Sequence, residues 1–285
     1  MTLSSVSDIF FCLKFAISEY ILTVTVKERV CSATPSIGGS DMLNLSGKTA
    51  FVFGVASEDS IAWAICKMLA ESGVTLYLGY QKRFRSRVFQ LKDKLPQIGG
   101  FYPLDVAQDA TTKEFFDAFS ADNPGKKADI LIHAIGFAPR TCFDRPILFV
   151  EDQDINTAMT ISANSLQRCL KFALPYLNPN SSTITLTYAA SNRYVPSYGI
   201  MSMAKAALEC WTRELACHLG PEGHRVNAIS SGPIRTIAAS GIPGFDNILD
   251  HVEKNSPLRR NVNQDDVAGA TLWLASPLSS GVTGQ

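Results

Sequence analysis

From Met42 onward the chain alternates short, nearly continuous apolar runs with stretches of helical period, with few residues between them. Segments 49–55 (TAFVFGV), 74–79 (VTLYLG), 100–105 (GFYPLD), 129–136 (DILIHAIG), 183–188 (TITLTY) and 225–230 (RVNAIS) read as strands. Between them, 60–73 reads as a helix closed by Gly73 and 84–95 as one ended by Pro96. Segments 111–122 and 151–177, and the pattern beginning near Tyr198, read as further helices. Strands apolar on both faces are buried on both faces, which happens where helices cover each side of a parallel sheet. The expected fold class is therefore α/β, a single doubly wound parallel sheet. A chain of 285 residues can bury about three quarters of its unfolded surface in one such domain.

Residues 1–41 do not share that rhythm. Their apolar run from Asp8 to Val26 is interrupted by Lys14 and Glu19, which argues against membrane insertion. No basic region followed by a small-residue cleavage site marks a signal peptide. The expected organisation is a non-catalytic extension and linker over 1–41, then one compact domain over 42–285. Lys plus Arg and Asp plus Glu balance at 26 each, so no footprint for nucleic acid exists. The seven cysteines are odd in number and lack a Cys-x-x-Cys, so neither a disulfide framework nor a metal site is expected. Cys66, Cys169 and Cys210 fall in helical apolar patterns and read as small core residues, and His133 reads as a core histidine inside a strand. These features fit a cytoplasmic protein. With 46% hydrophobic and only 18% charged residues, the composition also leans towards an oligomer.

The densest chemistry lies in 183–209. Tyr188 ends a strand, at the edge where open α/β sheets bind ligands. If the next helix begins at Tyr198, seven residues at ~100° bring Lys205 to within roughly 20° of it. Two phenols and an amine converging on that edge would polarise a carbonyl beside a bound cofactor. A Tyr packed in a core and a solvated Lys satisfy the same pattern.

Other strand ends carry groups suited to a dinucleotide. After the first strand, Gly54 permits a tight turn, and Ser60 can cap a helix whose free N–H groups attract pyrophosphate. The usual Gly-x-Gly-x-x-Gly is absent, and a serine-capped helix alone is the plainer alternative. Glu58 and Asp59 should point away from any phosphate. An acid at the end of the second strand would hold a ribose 2′-OH and exclude a 2′-phosphate. Here Gln81 is neutral and Lys82, Arg83 and Arg85 follow, so NADH, NADPH and a merely solvated basic helix start all stay open. Asp105 and Val106 can cover an adenine, and Gly136, between Ile135 and Phe137-Ala138, leaves room for a ribose or nicotinamide. Residues 231–236 (SGPIRT) offer backbone groups and a hydroxyl. Together these strand ends point to a Rossmann-like nucleotide-binding sheet.

On these residues the chain resembles the short-chain dehydrogenase/reductase superfamily, and within it the NADH-type enoyl-acyl carrier protein reductases. The likeness runs from Leu45 to Gly284 through LSGKTAFVFGVASEDSIA, HAIGFAP, SYGIMSMAKAALE and GPEGHRVNAISSGPIRTIAASGI. Its markers are Gly-x5-Ser-Ile-Ala after the first strand, Tyr-x6-Lys in place of the superfamily's usual Tyr-x3-Lys, and the second tyrosine, Tyr188. Met201 occupies the position four before Lys205. The resemblance implies reduction of the trans-2 double bond of enoyl-acyl carrier protein thioesters by a nicotinamide cofactor, the last step of the fatty acid elongation cycle. It implies that Tyr198 hydrogen-bonds the thioester oxygen, that Lys205 binds the nicotinamide ribose, and that Tyr188 flanks the acyl chain. Gly54, Ser60, Ile61, Gln81, Asp105, Val106, Ile135, Ile234, Arg235, Thr236, Ile237 and Ala238 would line the dinucleotide with Lys205, and Ala138 the substrate. Residues from Ala239 onward would form a mobile lid. The implied partners are acyl carrier protein and three further copies in a homotetramer.

Two departures bear on this reading. Residues 1–41 have no counterpart in the family pattern. The pattern also continues past Val282-Thr-Gly-Gln285 with one more strand, so the expectation is that the final strand is missing and an edge is left unpaired. Competing readings are a short-chain carbonyl or alcohol oxidoreductase, which Met201 and the paired tyrosines oppose, and a truncated non-catalytic nucleotide-binding protein.

Overall fold

The computed structural model describes Leu43 and residues 45–285; the expected extension and its boundary after residue 41 lie outside them. Strands β1 (Thr49–Phe53), β2 (Thr75–Tyr80), β3 (Ile98–Pro103), β4 (Ala128–His133), β5 (Leu177–Thr187) and β6 (Arg225–Ser230) are all parallel. They lie in the order β3-β2-β1-β4-β5-β6, the doubly wound order whose direction reverses between β1 and β4. The helices are α1 (Ile61–Glu71), α2 (Arg85–Phe89), α3 (Asp109–Asp122), α4 (Thr141–Asp144), α5 (Asp152–Met159), α6 (Ser165–Ala173), α7 (Ile200–Leu219), α8 (Phe245–Asn255) and α9 (Gln264–Ala275).

Period-two alternation along β1 divides the core between the two sides of the sheet. Ala50 and Val52 pack in one cluster with the apolar faces of α1 and α9, while Phe51 and Phe53 pack in another with α3, α6 and α7. The Phe51 ring meets Phe115, Phe116 and Phe119 edge-on at 5.7, 5.5 and 4.8 Å, the geometry aromatic quadrupoles favour. His133 is fully buried, with Nδ1 2.9 Å from the Thr185 hydroxyl and Nε2 2.8 Å from that of Ser165. Burial pushes its pKa down to about 3, so it is a neutral, satisfied core residue.

Several expectations change in detail. The helix expected over 84–95 is broken into a 3-10 turn, α2 and a second 3-10 turn at Lys92–Lys94. β5 begins at Leu177, six residues before the alternating run, because the polar Asn-Pro-Asn-Ser-Ser stretch conceals its start. The helix expected over 151–177 contains a π turn at Thr160–Asn164 between α5 and α6. There the buried Ser162 hydroxyl donates to the Phe137 carbonyl (2.7 Å) and accepts from the Phe137 N–H (2.9 Å). Cys210 is exposed on α7 rather than in the core, whereas Cys66 and Cys169 are buried as expected.

β6 lies at the end of the sheet, yet its outer backbone is not wholly unpaired. Gly284 N–H donates to the Val226 carbonyl (2.8 Å) and Ala228 N–H to that of Gln285 (2.6 Å). Arg225 and Asn227 side chains donate to the Val282 carbonyl.

Candidate active site

A cavity of about 780 Å³ opens along the carboxyl ends of the strands and spans the reversal between β1 and β4, the place where this topology binds ligands. Gly54 follows β1 at φ +110°, and a Cβ built on it would lie 2.1 Å from the Ala134 carbonyl oxygen after β4. Only glycine lets the two strand ends approach so closely. Ser60 caps α1: its hydroxyl accepts from Trp63 N–H (3.2 Å) and donates to the Ser57 carbonyl (2.7 Å). The Ser57 hydroxyl is buried on the cavity wall without a hydrogen-bond partner. It is an unpartnered donor three residues before the cap of α1, at a helix N-terminus where an anionic group is favoured. Glu58 points away to an ion pair with Lys94, as expected.

Along the cavity, Gly54, Ser60, Ile61, Gln81, Asp105, Val106, Ile135, Ala138, Tyr188, Tyr198, Lys205, Ile234, Thr236, Ile237 and Ala238 all contribute to the wall. Arg235 does not. Its guanidinium turns outward to Asp246 on α8, 2.6 Å away, because the carboxylate and open solvent lie on that side.

Tyr198 is not on the helix that carries Lys205. Ser197 (φ +63°) and Gly199 (φ +50°) flank it in left-handed conformations, so α7 starts only at Ile200. A Cβ on Gly199 would lie 2.9 Å from the Cys142 carbonyl. The face-sharing expected from helical spacing therefore fails, but the turn still brings both residues to the same cavity. Tyr188 and Tyr198 rings stand 4.9 Å apart, tilted by 49°. Burial raises the Tyr198 pKa and the neighbouring Tyr188 adds to that, keeping the phenol protonated. Burial raises Tyr188 as well.

Lys205 is buried, its ammonium donating to the Leu186 carbonyl at 2.8 Å. Desolvation lowers its pKa to about 8, against the opposing field of Glu209 one turn along α7. Glu209 is held by the Thr187 hydroxyl at 2.7 Å. A Cβ on Gly136 would find Lys205 Nζ at 3.8 Å and Met201 Cε at 4.0 Å, so the absent side chain leaves a cradle over the amine. Apolar side chains also line the cavity: Phe143, Met201 and Ile242, which pack with the two tyrosines, and Ile161, Phe245 and Ile248. Ile242 precedes α8, and Phe245 and Ile248 lie on it: the segment expected to be a loop is largely a 3-10 turn and a helix.

Three residues outside the expected set also shape the site. Ser57 supplies the orphaned hydroxyl, Ser162 ties down the Phe137 backbone, and Arg168 donates to the Val106 carbonyl at 2.6 Å while pairing with Asp109 at 2.8 Å. Ser57 lies in the loop already suspected. Ser162 and Arg168 carry no motif, since each acts on a segment far away in sequence.

Fold and cavity together define a protein of the dinucleotide-binding α/β class, with two phenols and one amine on a cavity wall that also carries apolar side chains. The profile of the enoyl-(acyl carrier protein) reductase family matches residues 54–285. The NADH enoyl-[acyl-carrier-protein] reductase of Synechocystis sp. is 41% identical over 249 residues, covering 86% of this chain and 95% of that protein. The enzyme of the same name from Escherichia coli K12 is 40% identical over 245 residues, covering 85% and 92%. The crystal structure of the Bacillus cereus enoyl-acyl carrier protein reductase with NADP+ and indole naphthyridinone superposes with a TM-score of 0.81 at 37% identity, covering 85% of this chain and 94% of that one. That of the NADH enoyl-[acyl-carrier-protein] reductase from Aquifex aeolicus gives 0.80 at 33%, covering 84% and 93%. The chain belongs to the enoyl-(acyl carrier protein) reductase family.

Proposed function

We propose that the protein reduces the trans-2 double bond of an enoyl thioester carried on acyl carrier protein, with a reduced nicotinamide nucleotide as hydride donor. The observation that carries this reading is the cavity wall that brings together the protonated phenol of Tyr198, packed against apolar side chains, and the buried ammonium of Lys205. Curated relatives are named NADH enzymes, and one solved neighbour holds NADP+.

The residues fit a dinucleotide. The Ser57 hydroxyl and the first turn of α1 suit the pyrophosphate, Asp105 and Val106 the adenine, and the Gly136 cradle beside Lys205 the nicotinamide ribose. When bound, the nucleotide supplies a hydride to the β-carbon of the enoyl group. Negative charge then builds on the thioester oxygen as the C=C π pair moves towards it. Tyr198 donates its O–H to that oxygen, and Lys205 adds positive potential, so both act more strongly on the enolate than on the substrate. The α-carbon takes a proton from solvent, which balances the addition. Tyr188 flanks the acyl chain beside Tyr198, and the apolar wall excludes water from it.

The catalytic unit runs over residues 42–285, works in the cytoplasm and assembles as a homotetramer in this proposal. No helix among the described residues is long and apolar enough to cross a membrane. The test is nucleotide oxidation with crotonyl thioester beside a simple ketone. Thioester turnover without ketone turnover supports the reading, and the reverse pattern replaces it with a carbonyl reductase. Nucleotide binding without turnover of either would favour a non-catalytic binder.

A further inference from the structure

Two successive turns of α7 grip two successive residues at the end of β5. The Lys205 ammonium donates to the Leu186 carbonyl at 2.8 Å, and one turn further along the Glu209 carboxylate accepts from the Thr187 hydroxyl at 2.7 Å. Residues four apart lie on one face of a helix, so a single face of α7 makes both contacts. The next residue in the chain is Tyr188, whose ring meets Tyr198 at 4.9 Å. Leu186, Thr187, Tyr188 and Lys205 line the cavity, whereas Glu209 does not.

Glu209 is half-buried, and among the described residues no Lys, Arg or His lies within ion-pair distance of its carboxylate. A glutamine could accept the same hydrogen bond, so the bond to Thr187 does not by itself call for an acid. The charge has a target in Lys205, where desolvation drives the pKa down to about 8 and Glu209 opposes the fall. The other titratable groups around the amine supply no counter-charge. Burial holds His133 of β4 neutral and keeps the phenols of Tyr188 and Tyr198 protonated, while Arg193 acts on Tyr188. Little water screens a buried cation, so one nearby anion weighs heavily on its charge state.

We propose that Glu209 is a positioning residue for the reaction: through Thr187 it fixes the strand end from which Tyr188 leaves, and its carboxylate is the counter-charge of the Lys205 ammonium. The inference rests on the reductase reading above and deepens it by assigning a residue behind the cavity wall that acts through Thr187 and Lys205.

The test is a pH titration of the intact, ligand-free protein by NMR of 13C-labelled lysine, with the Lys205 signal assigned from Lys205→Met, beside turnover of crotonyl thioester. Wild-type Lys205 is expected to titrate near pH 8, and in Glu209→Gln about one pH unit lower. At about pH 8 that leaves roughly a fifth of the wild-type ammonium, so Glu209→Gln should turn over about fivefold more slowly there and match wild type near pH 6. A part in packing alone would lower turnover equally at both. Thr187→Val, which releases the carboxylate, should move the Lys205 midpoint in the same direction, and Thr187→Ser should restore it. A midpoint unmoved by both Glu209→Gln and Thr187→Val, or a loss of turnover equal at the two pH values, overturns the proposal and leaves the reductase intact. A midpoint that moves as expected, in a folded protein that turns over no thioester in any form, upholds the counter-charge and overturns the reductase reading instead.

Discussion

Replacing Lys205 with methionine is expected to stabilise the protein at neutral pH while weakening its site. The ammonium is buried with one hydrogen bond, to the Leu186 carbonyl, and its pKa falls from 10.5 to about 8. That gap corresponds to a penalty of roughly 3 kcal/mol for holding the charged form in the fold. A depressed lysine pKa means that the unfolded chain keeps its proton up to 10.5 whereas the folded chain releases it near 8. The penalty is therefore complete below pH 8, and wild-type stability recovers as pH rises through that window because the unfolded state then binds more protons. Methionine has a similar length and no charge, and it forfeits about 1 kcal/mol for the lost hydrogen bond. Lys205→Met should thus be more stable than wild type by roughly 2 kcal/mol at pH 7, with the advantage gone near pH 10. Urea unfolding of both proteins at matched protomer concentration, at pH 7 and pH 10, measures the two gaps. A mutant less stable than wild type at pH 7, or a gap that does not change with pH, would refute this account of a strained functional lysine.

Tyr198→Phe keeps the buried ring and removes the donor, so turnover should fall about a hundredfold while nucleotide affinity stays within about twofold. Steady-state kinetics beside a binding titration separate the two; equal losses in both would show that the phenol acts in binding instead. Gly54→Ala and Gly136→Ala should behave oppositely. The first forces a Cβ against a backbone carbonyl at positive φ and should lower stability by about 2 kcal/mol or more. The second meets only ordinary contacts and should unfold like wild type yet bind nucleotide more weakly, because its methyl enters the cradle beside Lys205. Denaturation midpoints and nucleotide titrations of the pair check both outcomes.

The fold was legible because its strands announce themselves. Runs such as Thr49–Phe53 and Thr75–Tyr80 are β-branched, aromatic or apolar and lie between helical patterns, which is what burial in a two-faced parallel sheet requires. Most of the site was legible for a related reason: in this topology the first few residues after each strand face the cavity, so strand ends alone locate Gly54, Gln81, Asp105, Gly136 and Tyr188. Backbone conformation was not. Helical spacing put Tyr198 and Lys205 on one face, whereas Ser197 and Gly199 turn the chain before the helix begins. The π turn around Ser162 leaves no trace in the hydrophobic period, since one widened turn displaces few residues. Arg235 sits inside a strand-end motif yet faces Asp246, eleven residues further on, and nothing in local sequence says which way a long side chain will swing. Arg168 clamps Val106 from 62 residues away, a contact that only the packed sheet creates.

The central claim concerns where the hydride goes. Turnover of a trans-2-enoyl thioester with nicotinamide nucleotide deuterated at the transferring position, followed by mass spectrometry and NMR of the product, tests it most directly. One deuterium on the β-carbon, with a solvent-derived hydrogen on the α-carbon, is the result this account requires. Deuterium on a carbinol carbon, from reduction of a carbonyl with the double bond left intact, would contradict it.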